Sequence, residues 1–128
     1  MIDPIALGFS ASSMHTRTGR VVSRDYCYVR VYDKSLACKI VLDRDATTLA
    51  RRTLGLTCTV WVDPCGRILL TKGEGRAISA VQRRAAISIR QRRQELLDAL
   101  GDFAVYRYDY KLMEDGESIM MTPKERMA

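Results

Sequence analysis

Long hydrophobic runs are missing from this 128-residue chain. No apolar stretch approaches the roughly 18 residues that a transmembrane helix needs. The first residues, MIDPIALGFSASS, lack the basic start and the long apolar centre of a secretory signal peptide. We therefore expect a cytoplasmic protein without a membrane partner.

Metal-ligating residues are few and poorly spaced. The sequence holds one histidine, His15, and four cysteines, Cys27, Cys38, Cys58 and Cys65. No two cysteines form a CxxC pair, whereas zinc sites usually show paired ligands at short spacing. A disulfide framework is disfavoured because the chain has no secretory features. We expect no metal, and we expect the three cysteines in strand-like runs, Cys27, Cys38 and Cys58, to be buried free thiols.

Catalytic signatures are absent as well. The chain shows no paired-carboxylate motif, no glycine-rich phosphate loop and no serine–histidine–aspartate grouping. The GEG sequence at Gly73–Gly75 is too short for a phosphate cradle. These absences predict a protein that is not an enzyme and needs no cofactor.

The chain has an excess of positive charge, mostly from arginine. Its formal net charge is +6 and its pI is about 9.4. The planar guanidinium of arginine matches the geometry of phosphate and carboxylate groups. The excess therefore favours an acidic partner, which can be nucleic acid, an anionic membrane surface or an acidic protein.

Two periodicities predict the secondary structure. Alternation of apolar and polar residues predicts strands at 26–33, 36–42, 57–63 and 67–71. Between the second and third strands, helical spacing predicts a short helix that Asp43 or Asp45 caps and that ends at Gly55.

The C-terminal part of the sequence has a different periodicity of apolar residues. Ile78, Val81, Ala85, Ile89, Leu96 and Leu100 follow helical spacing. This stripe predicts a long helix over residues 76–100, and the Asp-Gly turn signal at 115–116 predicts a hairpin after it. The predicted fold class is thus α+β: a strand-rich β-β-α-β-β core followed by a long helix and a C-terminal β-hairpin.

Three segments are expected on this basis. Residues 1–25 form a basic N-terminal arm, residues 26–75 form the strand-rich core, and residues 76–128 form the long amphipathic helix with the terminal hairpin.

Three stretches of the core, VRVYDKSLACKIVL, ARRTLGL and TVWVDPCGRILLTKGE, match a known pattern. Residues 26–73 resemble the AbrB/MazE-like swapped-hairpin family of bacterial DNA-binding proteins. The chain departs from that family at Asp43, where a proline is usual. Its helix is also longer, and its loop between Leu56 and Val60 is shorter.

The resemblance implies a non-enzymatic transcriptional regulator, or an antitoxin-like protein, that acts as a homodimer with interleaved hairpins. It places double-stranded DNA across Arg30, Lys34 and Lys39, with Arg51 and Arg52 in support. These residues would contact phosphates and, in one or two cases, bases.

The predicted long helix adds further basic residues. Arg83, Arg84 and Arg90 are candidate nucleic-acid contacts, although a long helix exposes many solvated charges. Helix 76–100 would serve assembly or bind a protein partner.

Two other functions are alternatives. One is a small basic inhibitor, of phage or mobile-element type, that docks an acidic host protein. The other is RNA or single-stranded nucleic-acid binding, with bases stacked on Tyr106, Tyr108 and Tyr110. We favour packing of these tyrosines against a helix over base stacking.

Overall fold

Strands dominate the structure. The computed structural model describes residues 2–11, 14–16, 26–32, 38–73, 85–89 and 93–127, with the backbone alone at 14–16. Its strands are β1 (Ser10–Ala11), β2 (Met14–Thr16), β3 (Cys27–Val31), β4 (Cys38–Val41), β5 (Cys58–Val62), β6 (Ile68–Lys72), β7 (Ala86–Ile89), β8 (Val105–Leu112) and β9 (Ser118–Arg126). Its helices are α1 (Arg44–Leu54) and α2 (Gln94–Leu100).

The described strands form one antiparallel sheet of nine strands, in the order β1-β5-β6-β9-β8-β3-β4-β7-β2. The C-terminal hairpin β8–β9 lies at its centre. The β5–β6 hairpin pairs with β9 on one side, and the β3–β4 hairpin pairs with β8 on the other. All three segments predicted from the sequence therefore contribute strands to the same sheet.

The sheet must curl strongly, because β1 and β2 occupy its two opposite edges. Only two residues separate these strands in the chain. Three peptide steps of 3.8 Å allow at most about 11 Å between the Cα atoms of Ala11 and Met14. The N-terminal chain therefore brings the two edges of the sheet close together, as in a barrel.

The inner face of the sheet carries the main core. Alternate residues of the strands point to this face. Helix α1 packs there through Ala46, Ala50 and Leu54, and α2 packs there through Leu96 and Leu100. The largest fully buried side chains of this core include Ile40, Ile68, Leu70, Ile87, Ile89, Ile119 and Met121. A single chain thus fills its own sheet interior.

Helix α1 begins and ends as the sequence predicts. The Asp43 carboxylate accepts a hydrogen bond from the Ala46 backbone N–H at 2.7 Å, so Asp43 and not Asp45 is the cap. Gly55 has φ of +87° at the C-terminal end, and its N–H donates to the Arg51 carbonyl at 3.0 Å. Glycine suits this left-handed conformation because it has no Cβ.

The prediction of one long helix over residues 76–100 is wrong, and with it the predicted fold class. In the described part of this range, residues 86–89 form strand β7 and only residues 94–100 form a helix. Ala85, Ile87 and Ile89 are all buried in the inner core. Their burial repeats every two residues, as in a strand, and not every 3.6 residues, as in a helix. Pairing of β7 with β4 on one side and β2 on the other outweighs the local helical spacing. The described fold is strand-dominated, with two short helices.

Candidate nucleic-acid interface

Two of the predicted basic residues lie side by side on the outer face of the sheet, the face opposite the main core. Arg30 of β3 and Lys39 of β4 are direct partners in the antiparallel ladder. Their chain neighbours Val29, Val31, Cys38 and Ile40 all point into the inner core. Arg30 is exposed and Lys39 is half-buried. The hairpin therefore presents two adjacent cations on one surface.

We name Arg30 and Lys39 together the cationic row. The buried Val105 lies opposite Arg30 on β8, and the buried Ser88 lies opposite Lys39 on β7. Within the described parts of the chain, Arg30 forms no ion pair. Its guanidinium carbon instead lies 5.0 Å from the ring centre of Tyr32.

The charges beside the cationic row are paired, in contrast to Arg30. Arg107 Nη1 lies 3.8 Å from Glu125 Oε1, and Lys124 Nζ lies 3.5 Å from Asp109 Oδ2. The Arg107 guanidinium also lies 5.3 Å from the ring centre of Tyr26. Among the described residues, each of these two cations has a carboxylate partner, whereas Arg30 forms no ion pair.

An exposed aromatic residue, which the sequence did not single out, lies near the end of the row. Phe103 precedes β8, has 68% of its surface exposed and has φ of +56°. The Val31 N–H donates to the Ala104 carbonyl at 2.8 Å, so Phe103 lies in the turn just before the residue that this bond ties to β3. Positive φ is a property of the backbone, and no sequence pattern around residues 101–103 predicts it.

Arg51 and Arg52 belong to a different surface. They lie in the last turn of α1, which packs on the inner side of the sheet. Arg52 is exposed and Arg51 is half-buried. The structure thus brings Arg30 and Lys39 together but does not add the helix arginines to them. The remaining candidates, Lys34, Arg83, Arg84 and Arg90, lie outside the described residues.

The tyrosines of β8 face the inner core of the sheet, although the long helix against which we expected them to pack is not formed in the described residues. Tyr108 is 2% exposed, and its O–H donates to the Gly66 carbonyl at 2.5 Å. Burial, followed by the charge of Asp63, raises the pKa of Tyr108 well above its usual range. Tyr106 and Tyr110 pack against the same core. The Tyr108 ring is therefore not available to stack on a base.

A cleft of about 400 Å³ lies where β8 extends past the start of β3. It is lined by residues of both charges, including Asp43, Arg107, Asp109 and Lys111. Burial, then the carboxylate of Asp43, raises the pKa of Tyr110 at this cleft. Because its charges are mixed, the cleft has no evident preference for an anion.

Three of the four cysteines are buried free thiols, as predicted: Cys27, Cys38 and Cys58. Burial raises the pKa of Cys58 to about 12, so its thiol stays protonated at neutral pH. Cys65 is exposed in the turn between β5 and β6. Within the described ranges, no three histidine, cysteine or acidic residues are grouped as metal ligands would be.

Neither helix in the described part of the chain is long and apolar enough to cross a membrane. Comparison with protein-family models, with curated proteins and with solved structures finds no match to this chain. The similarity of residues 26–73 to the AbrB/MazE-like family stays a prediction.

Proposed function

We propose that this protein is a non-enzymatic DNA-binding regulator whose outer sheet face holds phosphate groups through Arg30 and Lys39. The observation that carries this proposal is the direct opposition of the two cations in the β3–β4 ladder. A phosphate bound on this face would meet one cation from each of the two strands.

The chemistry of the two side chains suits this role. Arg30 offers a planar guanidinium that can bind a phosphate with two parallel hydrogen bonds. Lys39 offers a compact ammonium group beside it. The overall charge of +6 adds a general attraction toward a polyanion.

The position of the pair within the sheet determines the kind of contact. A free two-stranded ribbon can enter the major groove of DNA. Here β3 and β4 have neighbours on both sides, β8 and β7, so they cannot enter as a ribbon. Contact would be made along the sheet surface, mainly to phosphates, which orient the DNA without reading its sequence. We therefore expect strong salt dependence and weak sequence preference from these two residues.

Fluorescence anisotropy with a labelled mixed-sequence duplex tests the proposal. Arg30→Gln and Lys39→Gln remove one charge each and keep most of the side-chain length. Each should weaken binding and reduce the slope of log affinity against log salt by about 1. Arg52→Gln is the matched control, because it removes an exposed arginine from the helix on the inner side.

Two results would contradict the proposal. One is the absence of duplex binding even at low salt, which would direct attention to an acidic protein partner. The other is an equal loss from Arg52→Gln, which would mean that total charge and not the cationic row determines affinity.

The homodimer and the antitoxin-like role implied by the family resemblance stay predictions. The packing gives no separate reason for an obligate dimer, since one chain fills its own core. Light scattering after size-exclusion chromatography, with and without DNA, measures the oligomeric state directly.

A further inference from the structure

Phe103 combines two unfavourable features at one residue. A bulky residue with positive φ is a conformational outlier, and asparagine or glycine usually occupies such a position. The side chain is also 68% exposed, so burial provides little compensation for this conformation. Residues held in such conformations cluster at functional sites. The combination indicates that the ring has a role outside the fold of the chain.

Phe103 is close along the chain to the cationic row. It precedes Val105 by two residues, Val105 pairs with Arg30, and the guanidinium carbon of Arg30 lies 5.0 Å from the ring centre of Tyr32. On the other side of β8, the Met127 N–H donates to the Val105 carbonyl at 2.7 Å. An exposed ring near a guanidinium that forms no ion pair within the described residues matches the composition of surfaces that bind nucleic acids, where bases stack on rings and phosphates meet cations.

We infer that Phe103 stacks on an unpaired base of the nucleic acid whose phosphates lie on the cationic row. This inference rests on the proposed function and narrows its ligand. The ligand would be DNA that presents an unpaired base, such as a bulged duplex, in preference to a fully paired duplex.

The preference for an unpaired base follows from access to its flat surface. In a paired duplex, both faces of each base are covered by its neighbours. A ring can enter only after a base step is unstacked, which costs energy. An unpaired base leaves the stack at a lower cost. A ring on a short, strained turn beside a phosphate site therefore gains most from a base that is already unpaired.

The test uses two labelled probes, a fully paired duplex and the same duplex with one unpaired adenine. The wild-type protein should bind the bulged probe more tightly. Phe103→Leu keeps an apolar side chain and removes the ring, so it should lose roughly 5- to 150-fold in affinity for the bulged probe. Its affinity for the paired probe should change little. Phe103→Trp keeps a ring and should retain the preference.

The salt dependence separates this inference from the proposed function. Phe103→Leu should leave the salt slope unchanged, whereas Arg30→Gln should reduce it. If the protein binds neither probe, the proposed function fails. If it binds both probes equally, or if Phe103→Leu binds the bulged probe as tightly as the wild type, only the stacking role is overturned.

A stability measurement checks the alternative that the fold needs Phe103. Asparagine tolerates positive φ. Phe103→Asn should therefore unfold at the same temperature as the wild type or higher, while losing the preference for the bulged probe. A clear fall in its unfolding temperature would assign Phe103 to stability and overturn the inference.

Discussion

At the scale of single residues, Thr47 is a buried polar side chain that joins two distant parts of the chain. It lies in α1 with no exposed surface. Its Oγ1 accepts a hydrogen bond from the Ala85 N–H at 2.9 Å and lies 3.5 Å from the Leu42 carbonyl, to which the hydroxyl donates. Ala85 directly precedes β7, so this hydroxyl fixes the helix against the start of that strand.

Thr47→Val should destabilise the protein by about 1–3 kcal/mol, because it leaves the buried Ala85 N–H without an acceptor. The shape of the side chain hardly changes, so the loss isolates the hydrogen bond. Thr47→Ser keeps the hydroxyl and serves as the control, with a smaller loss from the missing methyl group. Urea unfolding followed by circular dichroism measures both. Equal stability of Thr47→Val and wild type would show that the bond contributes nothing.

The sequence predicts some residue-level features and not others, for a physical reason. Arg30 and Lys39 could be placed together because both flank one local hairpin, whose turn brings nearby residues into register. The contact of Thr47 with Ala85 spans 38 residues, and no local pattern encodes it. The positive φ of Phe103 was equally hidden, since phenylalanine gives no sign of that conformation.

At the scale of elements, the N-terminus of α1 depends on one carboxylate. Asp43 caps the helix, and its own N–H donates to the Cys27 sulfur at 3.3 Å. This second bond links the helix start to β3. Asp43 therefore caps the helix and also connects it to the sheet.

Asp43→Ala should cost about 0.5–2 kcal/mol of unfolding free energy, because the Ala46 N–H loses its acceptor. Asp43→Asn should retain most of the stability, since an amide oxygen can accept the same bond. Asp45→Ala removes a neighbouring carboxylate that does not provide the cap, and it controls for charge. Thermal unfolding of the three variants should rank Asp43→Ala lowest. An equal effect of Asp45→Ala would mean that the helix dipole, and not the cap, is what matters.

The error over residues 76–100 also belongs to this scale. The helical spacing through Ala85 and Ile89 is present in the sequence, but it leaves out the apolar residue Ile87. A period of two through Ala85, Ile87 and Ile89 includes all three. This short apolar run fits both a helical and a strand period. The pairing of β7 with β4 and β2 selects the strand, and a local sequence pattern does not contain that pairing.

At the scale of the whole molecule, the order of the strands makes the sheet depend on its C-terminal hairpin. The β3–β4 and β5–β6 hairpins are separated in the sheet by β8 and β9. Within residues 26–75, which the sequence suggested as a core, the described strands of the two hairpins share no ladder.

A fragment of residues 26–75 should therefore not fold alone. Its inner face would lack β8, β9 and α2, which supply Leu96, Tyr108 and Ile119 to the core. We expect a narrow spread of amide proton shifts and no cooperative unfolding transition, with the full chain measured alongside. A fragment that folds as a dimer would instead support the swapped-hairpin arrangement of the AbrB/MazE-like family.

The central position of β8 and β9 also affects how the chain folds during its synthesis. A ribosome delivers residues 105–126 after every other described strand. At roughly 5–20 residues per second, about three to eleven seconds pass between the end of β6 and the end of β9. During that interval the β3–β4 and β5–β6 hairpins have no strands to bridge them, and their apolar inner faces are exposed. The nascent chain should therefore depend on chaperone binding in this interval, and translation that stops before residue 105 should yield an aggregating product.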